Sequence, residues 1–287
     1  MRTQVARTAA LAAAALLALG ACASDNGGGG GGGATAGDFP EGSTMARLAE
    51  AGAVKVGTKF DQPLFGLVGP DGVPEGFDVE IAKIIASELG IGEEGITWEE
   101  TVSAVREDAI ANGTVDFVVA TYTINDTRKE KISFAGPYYV AGQALLTLKE
   151  NTDIQGVDDI AGKKICTVSG STPEQNLLEN YPEAEVVPFA AYADCLEPLR
   201  NNQVDAISTD NVILAGFAAE NDDLEVRGDQ FTDEPYGIGL AKDDTDFRNF
   251  INDVLEKAYE DGRWAEAWEK TAGTVLPTPE PPAVDRY

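Results

Sequence analysis

The chain predicts an α/β fold arranged as two lobes, and three observations carry that prediction. From Val54 onward, short apolar strands alternate with amphipathic helices, the pattern of sheets covered by helices. The globular stretch, about Ser43 to Leu276, is long for one hydrophobic core and comfortable for two. Two segments also echo each other. "NGTVDFVVATYT" and "NNQVDAISTDNV" each end a helix, run through Val-Asp and finish in a polar cluster. That is what corresponding strand ends in two facing lobes would look like.

Taken in order, Val54–Gly57 reads as a strand. Phe77, Ile81, Ile84, Ile85 and Leu89 recur at helical spacing, with Asp78 and Glu80 favourably placed in the first turn. Ile96–Trp98 is a second strand, 102–112 a helix, and Phe117–Ala120 a third strand, apolar on both faces. A second lobe begins near Ala144. It holds a strand at Lys164–Val168 and a helix at Thr172–Asn180, with Thr172 as N-cap and Pro173 at the first helical position. A short strand, Glu185–Val187, is stopped by Pro188. A helix follows at Tyr192–Arg200, which Pro198 is placed to kink, and then a strand at Val204–Ser208. Helices at 245–260 and 262–271 have no strand between them and pack back onto the first lobe. The end, "PTPEPPAVDRY", reads as an extended tail. The expected division is lobe 1 from 43–142 with 237–276, lobe 2 from 143–236, and the tail 277–287. Hinge strands lie near Tyr139–Leu146 and Tyr236–Leu240.

The N-terminus reads as addressing. Arg2 and Arg7 precede the apolar run Ala9–Leu19, too short to span a bilayer. The run ends in Leu19-Gly20-Ala21-Cys22, which resembles the lipobox of bacterial lipoproteins. That resemblance implies a signal peptide over 1–21 and lipidation of Cys22, which would anchor the protein to the extracytoplasmic face of the cell membrane. Residues 22–42, with seven glycines from Gly27 to Gly33, form a flexible linker. It lets the body float about 20–25 Å off the lipid. With Cys22 lipidated, Cys166 and Cys195 remain as an even pair in an oxidising compartment and are expected to form a disulfide.

Composition excludes several classes. Asp and Glu outnumber Lys and Arg by 49 to 21, a formal charge of −28, which argues against nucleic acid as a partner. The chain has no histidine, which removes His-based metal sites and Ser-His or Cys-His catalysis. Neither a metal nor a cofactor is expected. Within this acidic chain, "ATYTINDTRKEK", Ala120–Lys131, gathers Arg128, Lys129 and Lys131 at the end of an apolar strand.

"GFDVEIAKIIASELG", Gly76–Gly90, and "ATYTINDTRKEKISFAGPYYVAGQ" resemble the amino-acid-binding family, family 3, of bacterial extracellular solute-binding proteins. The resemblance spans roughly Val54 to Thr271. It implies the type II periplasmic-binding-protein-like fold, with a ligand cleft between lobes and two hinge crossovers. "GTKFDQPLFG" and "ICTVSGSTPEQN" most resemble glutamate-binding lipoproteins that serve ATP-driven importers. The implied partners are L-glutamate or a related amino acid and a membrane permease with a cytoplasmic ATPase. The protein is expected to be a monomer and not an enzyme.

The candidate residues follow from what an amino acid presents. Arg128 offers a planar fork for the α-carboxylate. The alternative is a surface arginine pairing Glu130 or Asp126. Thr121 and Thr123, two apart on a strand, would add hydroxyls from one face. Ser171 and Thr172 open a helix whose free amides favour an anion, although capping alone would also explain Thr172. Asp210 is placed for the α-ammonium, or else caps the helix after it. Ser103 and Arg106 have the Ser-x-x-Arg spacing that resembles the side-chain carboxylate site of glutamate and aspartate binders, with Lys59 assisting. Val105 and Glu107-Asp108 depart from that pattern, and these acids could draw Arg106 away. Phe60 would pack the ligand's methylenes or simply join the core. Glutamine, aspartate or broad polar specificity is the runner-up within the class. A cyclohexadienyl dehydratase-like enzyme, with Asp210 or Glu174 as acid or base, is the alternative outside it.

Overall fold

The computed structural model describes residues 35–287. The expected signal segment, Cys22 and the glycine tract lie outside the described residues. Helix α1 (Thr44–Ala51), capped by the Ser43 hydroxyl, leads into strand β1 (Val54–Thr58), which exposes only Lys55. A small antiparallel sheet follows, from β2 (Asp61–Gln62), β3 (Gly66–Val68) and β4 (Pro74–Glu75). Gly76 then starts α2 (Phe77–Glu88) with φ 134°, where a Cβ would lie 2.3 Å from the Phe65 carbonyl. No other residue fits that turn. Next come β5 (Ile96–Glu100), a 3₁₀ turn at Ser103–Val105, α3 (Arg106–Ala111), β6 (Phe117–Val118), α4 (Asp126–Lys129) and β7 (Ser133–Ala141).

After Gly142 the chain enters a second set of elements. These are β8 (Gln143–Leu148), β9 (Lys164–Val168), α5 (Thr172–Asn180), β10 (Glu185–Phe189), α6 (Leu196–Arg200), β11 (Ala206–Asp210), α7 (Asn211–Glu220) and β12 (Leu224–Arg227). It then returns through β13 (Glu234–Leu240) to α8 (Thr245–Asp261) and α9 (Arg263–Glu269).

Two five-stranded sheets result, ordered β5-β1-β6-β13-β7 and β10-β9-β11-β8-β12. Each has three parallel strands followed by two antiparallel ones. The two layouts are the same, and each sheet is the centre of one lobe. Trp264 and Trp268 of α9 stand edge-on against Phe77 of α2, with centroids 5.6 and 5.0 Å away, so the last helices close the core of lobe 1. Cys166 of β9 and Cys195 form a disulfide with Cα atoms 5.9 Å apart. Closing that interval stabilises by roughly 3–4 kcal/mol on the loop-entropy model. Among the described residues, no helix is long and apolar enough to cross a membrane.

Several expectations shift. Strand β10 runs through Pro188, which pairs with Thr167, because it is an edge strand and proline can turn its donor-less side outward. The 102–112 helix begins as a 3₁₀ turn, and β6 ends at Val118 rather than Ala120. Strand β11 starts two residues later than expected and reaches Asp210. The boundary expected at 236/237 falls inside β13, whose Glu234 already pairs with Ala141 in the first sheet. The tail has no regular structure but is docked. Asp285 N–H donates to the Gly136 carbonyl, the Tyr287 hydroxyl accepts from Phe134 N–H, and Arg286 pairs with Asp253 and Glu256.

Candidate functional site

The first wall of the site forms where β6 stops. Thr121 adopts φ 44°, a left-handed conformation that breaks strand alternation. Its N–H donates to Asp78 Oδ2 at 2.7 Å, and Asp78 Oδ1 accepts from the Tyr138 hydroxyl at 2.5 Å. Asp78 is fully buried, and that burial pushes its carboxyl up to about 7 against the pull of the Tyr138 hydroxyl and the Thr121 amide. The Thr121 hydroxyl sits between Gln62 Oε1 (3.0 Å) and the Ala120 carbonyl (2.8 Å). Thr121 and Thr123 therefore do not present hydroxyls from one strand face. Thr121 is spent on the turn, while Thr123 Oγ1 lies 3.2 Å from Thr172 Oγ1 in the other lobe.

That turn delivers Arg128. Asn125 caps α4 by accepting from Arg128 N–H at 2.8 Å. The Arg128 side chain is buried, not a surface partner of Glu130 or Asp126. Nη1 donates to the Thr123 carbonyl at 2.7 Å, Nη2 to the Gly170 carbonyl across the cleft at 3.2 Å, and Nε lies 3.4 Å from Glu107 Oε1. A guanidinium has five N–H donors, so one remains on each terminal nitrogen. Burial, reinforced by the neighbouring Arg106, lowers its pKa to about 10, so it stays charged near neutrality.

Beside it lie two more buried cations. Lys59 Nζ donates to Ser103 Oγ at 3.0 Å, and Arg106 Nη1 to the Ala120 carbonyl at 2.8 Å. The Arg106 guanidinium stands 3.9 Å from the centre of the Tyr122 ring, with Arg128 5.1 Å from the same ring. Arg106 Nε has no partner among the described residues. Among the described residues, neither Lys59 nor Arg106 forms an ion pair, and Glu107 goes to Arg128 rather than drawing Arg106 away. Burial first, and Arg106 second, bring Lys59 down to about 7.

Lobe 2 supplies hydroxyls and an acid. Ser171, not Thr172, is the N-cap of α5: its Oγ accepts from Glu174 N–H at 3.1 Å, which places Thr172 inside the first turn. Thr172 is thereby free to donate to Glu234 Oε2 at 2.7 Å. Glu174 is occupied in accepting from Gly170 N–H at 2.7 Å. Gly170, at φ 77°, brings its backbone so near lobe 1 that a Cβ would lie 2.9 Å from Ala104 Cα. Asp210 holds the N-cap position of α7, but its side chain makes no cap hydrogen bond. Its Oδ2 accepts from the Tyr236 hydroxyl at 2.6 Å, and its Oδ1 has no partner among the described residues. Burial, then repulsion from Glu234, raises its carboxyl to about 7.

The charge of Arg106 reaches Lys59, Asp78, Arg128 and Asp210, so these groups form one electrostatic cluster drawn from both lobes. Beside it a groove of about 370 Å³ opens between lobes, lined by Ser103, Ala104, Glu107, Arg128, Gly170 and Ser171 among others. Phe60 is half-buried and joins none of the core clusters, so its ring is not ordinary core packing. Sequence reasoning missed Gln62, Tyr122, Glu234 and Tyr236. It also read Asp78 only as a favourable helix-start charge. A signal was present: position 78 shares its helical face with Ile81, Ala82 and Ile85, all buried.

Two lobes of like topology, with convergent buried charges between them, define a cleft-type binding protein. The sequence matches the family model of bacterial extracellular solute-binding proteins, family 3, over residues 54–274, and the chain belongs to that family. Among its relatives is the glutamate-binding protein GluB of Corynebacterium efficiens, 40% identical over 79% of this chain and 81% of that one. The glutamine-binding protein GlnH of an ABC transporter in Bacillus subtilis is also 40% identical, over 79% of this chain and 84% of that one. An ancestral amino-acid-binding protein, described as a precursor of cyclohexadienyl dehydratase, superimposes with a TM-score of 0.74. It is 30% identical and covers 80% of this chain and 99% of the other.

Proposed function

We propose that this protein is the extracytoplasmic substrate-binding component of an ATP-driven amino-acid importer, and that it closes on L-glutamate. The observation that carries the reading is the pair of buried cations, Lys59 and Arg106, with no carboxylate partner among the described residues. A buried unpaired charge is costly, and a ligand's side-chain carboxylate would pair with both at once. In this scheme the two remaining Arg128 N–H groups hold the α-carboxylate, with Ser171 and Thr172 adding polar contacts. The unpartnered Oδ1 of Asp210 receives the α-ammonium. Ser103 steers Lys59, and Phe60 covers the methylenes.

The corynebacterial relative's name supports glutamate. The equally similar Bacillus relative makes glutamine the second reading. An enzyme has less in its favour, since Glu174 is tied to the Gly170 amide. The protein would act as a monomer tethered through a lipidated Cys22, handing its ligand to a membrane permease with a cytoplasmic ATPase.

Calorimetric titration of protein stripped of ligand, with glutamate, glutamine, aspartate and asparagine, tests this directly. Tight one-to-one glutamate binding with weak glutamine binding is the expected result. Arg106→Ala should then erase most of that preference, about tenfold or more. Equal losses for both amino acids would remove Arg106 from the side-chain site.

A further inference from the structure

We infer that Asp61 is a positioning residue for closure: its carboxylate grips the Tyr192–Ala193 backbone of the opposite lobe and so sets the lobe–lobe equilibrium on which affinity for every ligand depends. The inference rests on the binding reading above. Asp61 opens β2 in lobe 1, and its Oδ2 accepts from the N–H groups of Tyr192 at 2.8 Å and Ala193 at 3.3 Å. The other cross-lobe polar contacts behave differently. Arg128 to Gly170, Thr123 to Thr172, Thr172 to Glu234 and Tyr236 to Asp210 each involve a side chain assigned to the ligand, so each is coupled to what the cleft holds. The Asp61 contact uses none of those groups, so a bound amino acid does not compete for it.

The acceptor is held firmly. The Tyr192 carbonyl accepts from Cys195 N–H at 3.0 Å, and Cys195 is bonded to Cys166 in β9. Strand β9 pairs with β11, which ends at Asp210. From the same turn the buried Tyr192 ring runs inward, its phenol facing Ser171, Thr209, Thr167 and Asp210. One side of Tyr192 therefore meets Asp61 and the other meets the lobe 2 ligand wall. A second contact wedges the same lobe 1 segment. Gly216 of α7 lies so near Pro63 that a Cβ would come within 2.6 Å of its carbonyl oxygen. Lobe 2 thus clasps residues 61–63 from two elements.

A contact made equally in every closed complex scales all affinities by one factor and leaves their ratios alone. Asp61 also contributes to the field at Lys59, and a role there would change glutamate affinity only. The two are separable. Asp61→Asn keeps the shape and removes the charge; Asp61→Ala removes the acceptor. Both would be made in the full protein carrying spin labels at Glu94→Cys and Asp158→Cys, which are exposed positions in lobes 1 and 2. Without ligand, the label separation should lengthen in both variants. By calorimetry, affinities for L-glutamate and L-glutamine should fall by the same factor, about three- to tenfold for Asp61→Asn and more for Asp61→Ala. An unchanged distance distribution overturns the inference. So does a loss confined to glutamate, which would make Asp61 a partner of Lys59 instead. If neither amino acid binds the unaltered protein, the binding reading fails, while the ligand-free distances still decide the role of Asp61.

Discussion

The two sheets begin alike and end differently. In lobe 1, Asp116 exchanges hydrogen bonds with Lys55 at the start of β1: its N–H donates to the Lys55 carbonyl and its Oδ2 accepts the Lys55 N–H, both at 2.8 Å. In lobe 2, Asp205 does the same with Lys164 at the start of β9, both at 2.7 Å. The faint Val-Asp echo in the sequence is thus a shared device for tying the third strand to the first. Counting on from these aspartates, Thr121 corresponds to Asp210. Lobe 2 keeps its strand to the end and delivers one carboxylate from a rigid ladder. Lobe 1 abandons its strand after Val118, turns through Thr121, and uses the released segment to carry Arg128. One scaffold position yields an acid when the ladder continues and a cation-bearing turn when it breaks. In the binding scheme proposed above, the two halves of a zwitterion would thus be met from opposite sides.

This contrast can be broken most severely at the cation. Arg128→Ala should cost every amino acid roughly a hundredfold or more in affinity by calorimetry, because it leaves a buried carboxylate unpaired. A small loss would mean that the lobe 1 turn serves the fold and not the ligand.

A smaller effect sharpens it. Lys59 and Asp210 both titrate near 7 in the ligand-free protein, in opposite senses. An ammonium needs Asp210 ionised, so affinity for either amino acid should fall as pH drops below about 7. A side-chain carboxylate needs Lys59 charged, so glutamate alone should also weaken above about 7. Glutamate affinity should therefore peak near neutrality, while glutamine affinity rises to a plateau. Lys59→Met should remove the upper limb and cost glutamate about tenfold. Parallel profiles for the two ligands would exclude Lys59 from the side-chain site.

The smallest effect concerns the turn's support. The Asp78 carboxyl is raised in the fold from its ordinary 3.8 to about 7. Its contribution to stability is therefore full below about 3.8 and is lost as pH rises through about 7. Asp210 acts in the same direction. Asp78→Asn should flatten, without abolishing, the fall in Tm of the ligand-free protein between pH 4 and 7, by about 2–4 °C. An unchanged slope would contradict the buried, ionisable state assigned to Asp78.

The sequence made Arg128 and Asp210 visible because motif and strand-end position coincided there. Asp78 was half-visible: its helical phase put it inside, but an acid at a helix start has a ready surface explanation. The Thr121 turn was not visible, since a threonine at positive φ leaves no compositional mark of the kind glycine leaves. Thr172 was misread as the cap because Ser171 and Thr172 are both good caps, and only backbone geometry chooses between them. Pro188 was misread because the sequence does not tell an edge strand from a central one. Contacts such as Asp61 to Tyr192 lie beyond any local pattern, being 131 positions apart.

The C-terminal segment looks like an appendage in sequence, yet it lies along β7, the outermost strand of the first sheet. A bare outer strand offers unpaired N–H and C=O groups to any passing chain and invites sheet-to-sheet aggregation. Here the Gly136 carbonyl is taken by Asp285 and the Phe134 N–H by Tyr287, while Lys129 and Arg248 flank the Tyr287 ring at 4.2 Å. That cover keeps another copy of the chain from adding a strand at this edge.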